Sequence, residues 1–188
     1  MADLQKAVGL ARDSFPYKEG AFYGSSVGLS LGVGLIYDRV RHPLFDAGSR
    51  LFDTVEGLAY VLTHECDVDQ ANERHFNDLV LICPIVPFEI FVNEYTTTYS
   101  ESALHGLLPS IAGDRVFKVF YFPPGCGTSL ASGGLIFLNQ ICSTHIGEFD
   151  AERAIPLCAL SGYAQHILDL KLQNHLLRPK AESLPRLS

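Results

Sequence analysis

Two short runs of branched and apolar residues, 58–63 and 78–85, constrain the fold of this chain more than any other feature. Each is too short for a buried helix and rich in the side chains that favour a pleated surface, so both read as strands. The stretch between them, 66–77, is polar and reads as a loop. Two apolar strands joined by one polar loop are expected to pair as antiparallel neighbours. Further strands are predicted over 115–122, stopped by Pro123-Pro124-Gly125, and over 135–138 and 142–146. Residues 48–53 read as a turn entering a strand. Glycine dominates from 15 to 35, which predicts loop or irregular strand. Helical spacing occurs over 4–12, over 101–111, and after Ser161, where Ala164, Ile167, Leu168, Leu172 and Leu176 fall on one face. Ser161 is the expected N-cap, Pro179 the stop, and 179–188 a loose tail. The pattern predicts an α+β domain: a small barrel with helical additions.

A chain of 188 residues and 20.7 kDa is long enough for one domain with a core that needs no staples. With 47% hydrophobic and 19% charged residues and a mean hydropathy of +0.16, a disordered or fibrous chain is excluded. The longest run of low polarity, 27–37, is about half of the roughly 20 residues a membrane helix requires, so no span is expected. The first residues show no basic stretch followed by an apolar one, so no secretory leader is expected. Five cysteines with no framework spacing predict a reducing compartment and a cytoplasmic protein. A net charge of −7 and a pI near 5.4 disfavour field-driven binding of nucleic acid.

Several stretches, in order, resemble the MazF/PemK family of toxin endoribonucleases. Residues 48–53 (Gly48-Ser49-Arg50-Leu51-Phe52-Asp53) resemble that family's first strand. Residues 58–63 (Leu58-Ala59-Tyr60-Val61-Leu62-Thr63) look like its proline-alanine-valine-valine-leucine-serine strand. Residues 79–85, ending Cys83-Pro84-Ile85, are similar to the strand after its loop, and 134–143 to its late strand. Cys158-Ala159-Leu160-Ser161 then opens a terminal helix as in the toxins. The resemblance implies a dimerising SH3-like barrel over 48–178, with an N-terminal extension over 1–47, an insert with a helix over 87–132 and a tail over 179–188. It departs at two positions that carry the toxin chemistry. Ribonuclease members have an arginine where this chain has Gly57, and a threonine where it has Val86. Neither glycine nor valine can stabilise charge on a phosphate or supply a hydroxyl. Residues 63–68 (Thr63-His64-Glu65-Cys66-Asp67-Val68) also look like a Ser/Thr-x-Ser/Thr-Cys-Asp-Leu/Ile segment of a group of small bacterial proteins, with Glu65 where that segment has a small polar residue.

His64, Cys66 and Asp67, flanked by Glu65 and Asp69, form the densest cluster of reactive side chains. Strand alternation places His64 and Cys66 on one face, where an imidazole lowers a thiol pKa and makes a nucleophile. His64, Cys66 and His75 with one carboxylate also have ligand types suited to zinc. The plainer alternative is a strand end with a buried Cys66 and an Asp67 that caps loop donors. Residues 123–129 resemble a phosphate-binding loop, but Thr128 stands where its lysine belongs, so nucleotide hydrolysis is excluded. Gly28, Gly32 and Gly34 lack the strand and acid of a dinucleotide site. His42, His105, His145, His166 and His175 are scattered and read as surface or satisfied core. Phe117, Phe120, Tyr121, Phe122 and Phe137 read as core rather than a base-stacking platform. Lys171, Arg178, Lys180 and Arg186 complement the dipole of the last helix. The expectation is a non-catalytic interaction or accessory protein with a protein partner or a second copy and no cofactor, in the toxin–antitoxin or phage-defence context the resemblance implies. The rivals are a hydrolase or nuclease using His64, Cys66 and Asp67, and a metal-binding protein.

Overall fold

Strands that are apolar at nearly every position, such as 58–61 and 119–122, belong in a sheet buried on both faces. The computed structural model, which describes residues 2–43, 54–68 and 78–177, has such a sheet. In chain order the elements are α1 (Ala2–Ser14), a 3-10 turn (Glu19–Ala21), β1 (Tyr23–Gly24), β2 (Leu35–Pro43), β3 (Thr54–Val61) and α2 (Glu65–Val68). Then come β4 (Leu79–Pro87), α3 (Phe88–Thr98), α4 (Glu101–Ala112), β5 (Val119–Phe122), β6 (Gly134–Phe137) and β7 (Cys142–His145). A second 3-10 turn (Ile146–Phe149), β8 (Ile155–Leu160) and α5 (Gly162–Leu176) complete the described chain. None of its helices is long and apolar enough to cross a membrane.

All pairings are antiparallel, in the order β1-β8-β2-β3-β4-β6-β5, with β7 also on β4. The expected pairing of the two diagnostic strands is present, with Leu58 opposite Ile85 and Val61 opposite Ile82. The closed barrel is not: the hydrogen-bonded order ends at β1 on one side and β5 on the other. The sheet curls, and side chains rather than a ladder bridge its two ends. The Tyr23 hydroxyl donates to the Pro123 carbonyl at 2.6 Å, and Phe22 stacks on Phe120.

Period-two alternation sends successive residues into different cores. Leu58, Tyr60, Phe120, Phe122 and Ile136 pack on one side with Ala164, Ile167, Leu168 and Leu172 of α5. Ala59, Val61, Val80 and Ile82 join Leu35, Tyr37 and Val40 in a second cluster. Val119, Tyr121 and Leu135 meet α1, α3 and α4 in a third, through Ala7, Ala11, Phe88, Leu104 and Leu108. The aromatics of 120–122 are therefore core, as expected.

Several elements differ from expectation. The strand that pairs with β3 on its other side is β2, whose residues 36–43 carry no strand pattern because a bulge breaks the alternation between Tyr37 and Val40. The segment ahead of residue 48 thus contributes two strands to the sheet. The 48–53 strand, most of the 66–77 loop and the 179–188 tail lie outside the described residues. Residues 65–68 form one helical turn, so the strand ends at Val61 and its alternation never reaches His64. The insert holds two helices, not one. α3 is rich in aromatic and β-branched residues of low helix propensity, and packing of Phe88 and Val92 overrides that preference. Residues 115–118 precede β5 rather than belong to it. Cys158, Ala159 and Leu160 close β8, and the helix starts only after Ser161, whose hydroxyl accepts from the Ala164 amide at 3.2 Å. Leu176, placed on the buried face, is 63% exposed. Cys126 and Cys158 form a disulfide, with Cα atoms 5.8 Å apart, where five reduced thiols were expected. That pairing depends on the fold bringing together residues 32 apart.

Candidate functional site

β3 and β4 pair only from Leu58 and Ile85 onward, although β3 begins at Thr54 and β4 runs on to Pro87. Over 54–57 β3 stays on β2, while Val86 and Pro87 follow β6. The two strands therefore splay, and the gap between them is a cleft of about 680 Å³. Its apolar wall comes from Val55, Leu58, Pro84, Ile85 and Val86, with Ile90 and Phe91 of α3 and Phe137 of β6. Gly57 and Val86, the two positions at which the chain departs from the ribonuclease pattern, both line it.

The polar groups of the cleft are Asp38, His42, Glu56, Glu94, Ser129 and Gln140. Asp38 reaches it because of the β2 bulge, where Arg39 takes a left-handed backbone at φ 61° and donates its amide to Asp38 Oδ1 at 2.8 Å. Ser129 Oγ, from the loop before β6, donates to Asp38 Oδ2 at 2.8 Å. Asp38 is thus held from two sides.

His42 is only 8% exposed. Its Nδ1 lies 3.0 Å from the Pro43 carbonyl oxygen. A carbonyl can only accept, so this contact places the proton on Nδ1 and leaves Nε2 as a bare acceptor. Burial pushes the imidazole pKa below its ordinary value and outweighs the Pro43 hydrogen bond that raises it. A Cβ on Gly57 would stand 3.1 Å from Nε2, a tight contact that a larger residue would relieve by shifting the ring a few tenths of an ångström. No described Lys or Arg lines the cleft. It offers carboxylates, a neutral nitrogen acceptor and apolar walls, a set that attracts donors and cations and repels phosphates.

His64, Cys66 and Asp67 stand elsewhere, exposed on and just before α2, and line neither this cleft nor the smaller cavity below. The structure brings the three together: Cys66 Sγ is 3.6 Å from His64 Nδ1 and 3.9 Å from Asp67 Oδ1. Cys66 is exposed rather than packed beneath Val61 and Ile82. Close by, Gly32 is buried against α2, where a Cβ would come within 2.7 Å of that of Glu65. His75 and Asp69, the remaining ligand candidates, lie outside the described residues, and among those described no three His, Cys, Asp or Glu side chains are grouped to hold a metal.

A cavity of about 330 Å³ borders α5 and the turn after α4. Here Lys171, expected to complement the helix dipole at the surface, is 7% exposed and ion-paired with Asp114, which also accepts from the Tyr17 hydroxyl at 2.6 Å. Burial and the Asp114 carboxylate push the Tyr17 phenol upward. The trio ties the N-terminal segment, the α4–β5 turn and α5 together, which is a structural role.

Asp38, Glu56 and Glu94 carried no motif in the sequence, Ser129 closed the stretch set aside as a phosphate-binding loop lacking its lysine, and His42 read as an isolated histidine. Of the residues lining this cleft, the sequence singled out Gly57 and Val86, and only through the resemblance. No protein-family model matches this chain, and no curated protein is similar to it beyond chance.

Proposed function

We propose that the chain is a non-catalytic interaction protein on a diverged SH3-like scaffold of the MazF/PemK kind, binding a protein partner through the cleft over Gly57. The observation that carries this reading is the make-up of that cleft. Gly57 and Val86 replace the residues the toxin chemistry needs, and the charged groups around them are Asp38, Glu56 and Glu94. Stabilising charge on a scissile phosphate requires cations or donors aimed at it, and carboxylates oppose it. The curl of the sheet, bridged at its ends by Tyr23 and Phe22, supports a barrel-like scaffold. The bacterial toxin–antitoxin or phage-defence context and the homodimer accompany the resemblance.

The test is incubation of the purified chain with single-stranded RNA of mixed sequence beside an active toxin ribonuclease. The RNA is expected to stay intact with this chain and to be cut by the control. The 3.6 Å approach of Cys66 Sγ to His64 Nδ1 favours a second reading, a thiol-dependent hydrolase or nuclease. Cleavage that disappears in Cys66→Ala or Asp67→Ala would establish it and displace the first.

A further inference from the structure

The geometry points to an arginine side chain, carried on an extended segment of a protein partner, as the occupant of the cleft between β3 and β4. This rests on the cleft being the interaction site and specifies what enters it.

Residues 54–57 of β3 pair with β2 on one side, and on the other no described strand pairs with them, because β4 joins only at Leu58. A strand edge that opens into a cleft offers amide and carbonyl groups to an added extended chain, the usual way a sheet takes up a peptide. A small free cation has no use for the amides, whereas a peptide pairs with amides and carbonyls alike.

Glu56 of β3 and Glu94 of α3 both line the cleft, and Asp38 adds a third negative charge. Asp38 already accepts from the Arg39 amide and from Ser129, so it contributes field more than a vacant acceptor. His42 Nε2 is a nitrogen acceptor on a ring more than nine-tenths buried, and no hydrogen bond to it is formed within the described chain. Acceptors in several directions suit a group with several donors in one plane. Guanidinium has five N–H donors in a rigid fork, whereas ammonium is a compact, strongly hydrated point charge. The walls agree with this choice. The rings of Phe91 and Phe137, with centroids 6.4 Å apart, stand among Ile90, Val86 and Leu58, giving an arginine stem apolar contact and its head aromatic faces.

The experiment uses the full chain and dye-labelled pentapeptides of sequence Gly-Val-Xaa-Val-Gly, with arginine, lysine or citrulline at the centre, read by fluorescence anisotropy. Citrulline keeps the shape of arginine and removes its charge. The arginine peptide is expected to bind saturably and about tenfold or more tighter than the citrulline peptide. Glu56→Gln with Glu94→Gln is expected to weaken the arginine peptide by about tenfold and leave citrulline binding unchanged. Both glutamates are exposed, so this variant keeps the fold, which an unchanged melting temperature verifies. Equal binding of arginine and citrulline peptides overturns the inference but leaves a peptide-binding cleft. Equal binding of arginine and lysine overturns the guanidinium assignment. No binding by any of the three overturns the inference while the RNA test stands separately, and RNA cleavage overturns the interaction reading itself.

Discussion

His42 shows how much one residue's surroundings decide. Its ring is held neutral by burial, with a pKa below the ordinary 6.5. The unfolded chain takes up the proton first as pH falls, so this residue's contribution to stability is complete above about pH 6.5 and declines below it, through the window down to the lowered folded value. The melting temperature is expected to drop further between about pH 7.5 and pH 5 in the unsubstituted chain than in His42→Gln, which keeps a donor for the Pro43 carbonyl. Equal slopes would remove His42 from the acid response. The cysteines differ on the same principle. Burial pushes the Cys83 thiol up to about 12 and Cys142 up to about 11, so both stay protonated at neutral pH. Cys66 is exposed. Iodoacetamide at about pH 8 is expected to label Cys66 in the native protein and Cys83 only after unfolding, as peptide mass mapping would show.

At the scale of elements, the joints matter more than the elements themselves. Lys171, Asp114 and Tyr17 link α5, the α4–β5 turn and the segment after α1 through one carboxylate. Removing Asp114 strands a buried ammonium, whereas removing Lys171 leaves a carboxylate that is one-quarter exposed and still bonded to Tyr17. Asp114→Asn is therefore expected to cost about 3 kcal/mol in urea unfolding and Lys171→Met clearly less. Asparagine tolerates the left-handed backbone at position 114, φ 59°, so strain does not confuse the comparison. The reverse order of the two variants would contradict the joint as described. The strands 58–63 and 78–85 were legible because both faces of a buried sheet demand apolar residues. β2 and β8 were not: one carries a bulge that breaks the alternation, the other a proline in its second position.

At the scale of the whole molecule, α5 bears on association. Leu170, Leu176 and Leu177 are 47%, 63% and 70% exposed on and just after α5. The proposed homodimer predicts a mass of two chains by light scattering at micromolar concentration. It also predicts one chain in Leu170→Glu with Leu177→Glu, with a melting temperature lowered by the loss of the association. A single chain in the unsubstituted protein rejects it. The overall charge of −7 acts in the same direction as the cleft, away from polyanions and towards basic partners.

The local chemistry of the chain by itself determined the α+β class, the central strand pair, the helix after Ser100 and the cap at Ser161, because periodicity, turn residues and capping act over a few neighbours. Gly57 and Val86 stood out only against the pattern of the resembled family, not through any local chemistry. Only the tertiary structure decided that β2 lies between β8 and β3, that the sheet curls without closing, and that Cys126 meets Cys158. It alone gathered Asp38, His42, Glu56, Glu94 and Ser129 from β2, β3, α3 and a distant loop into one cleft. Those residues lie up to 91 positions from the partner they touch, as Ser129 does from Asp38, and no local pattern records a contact made across that length of chain.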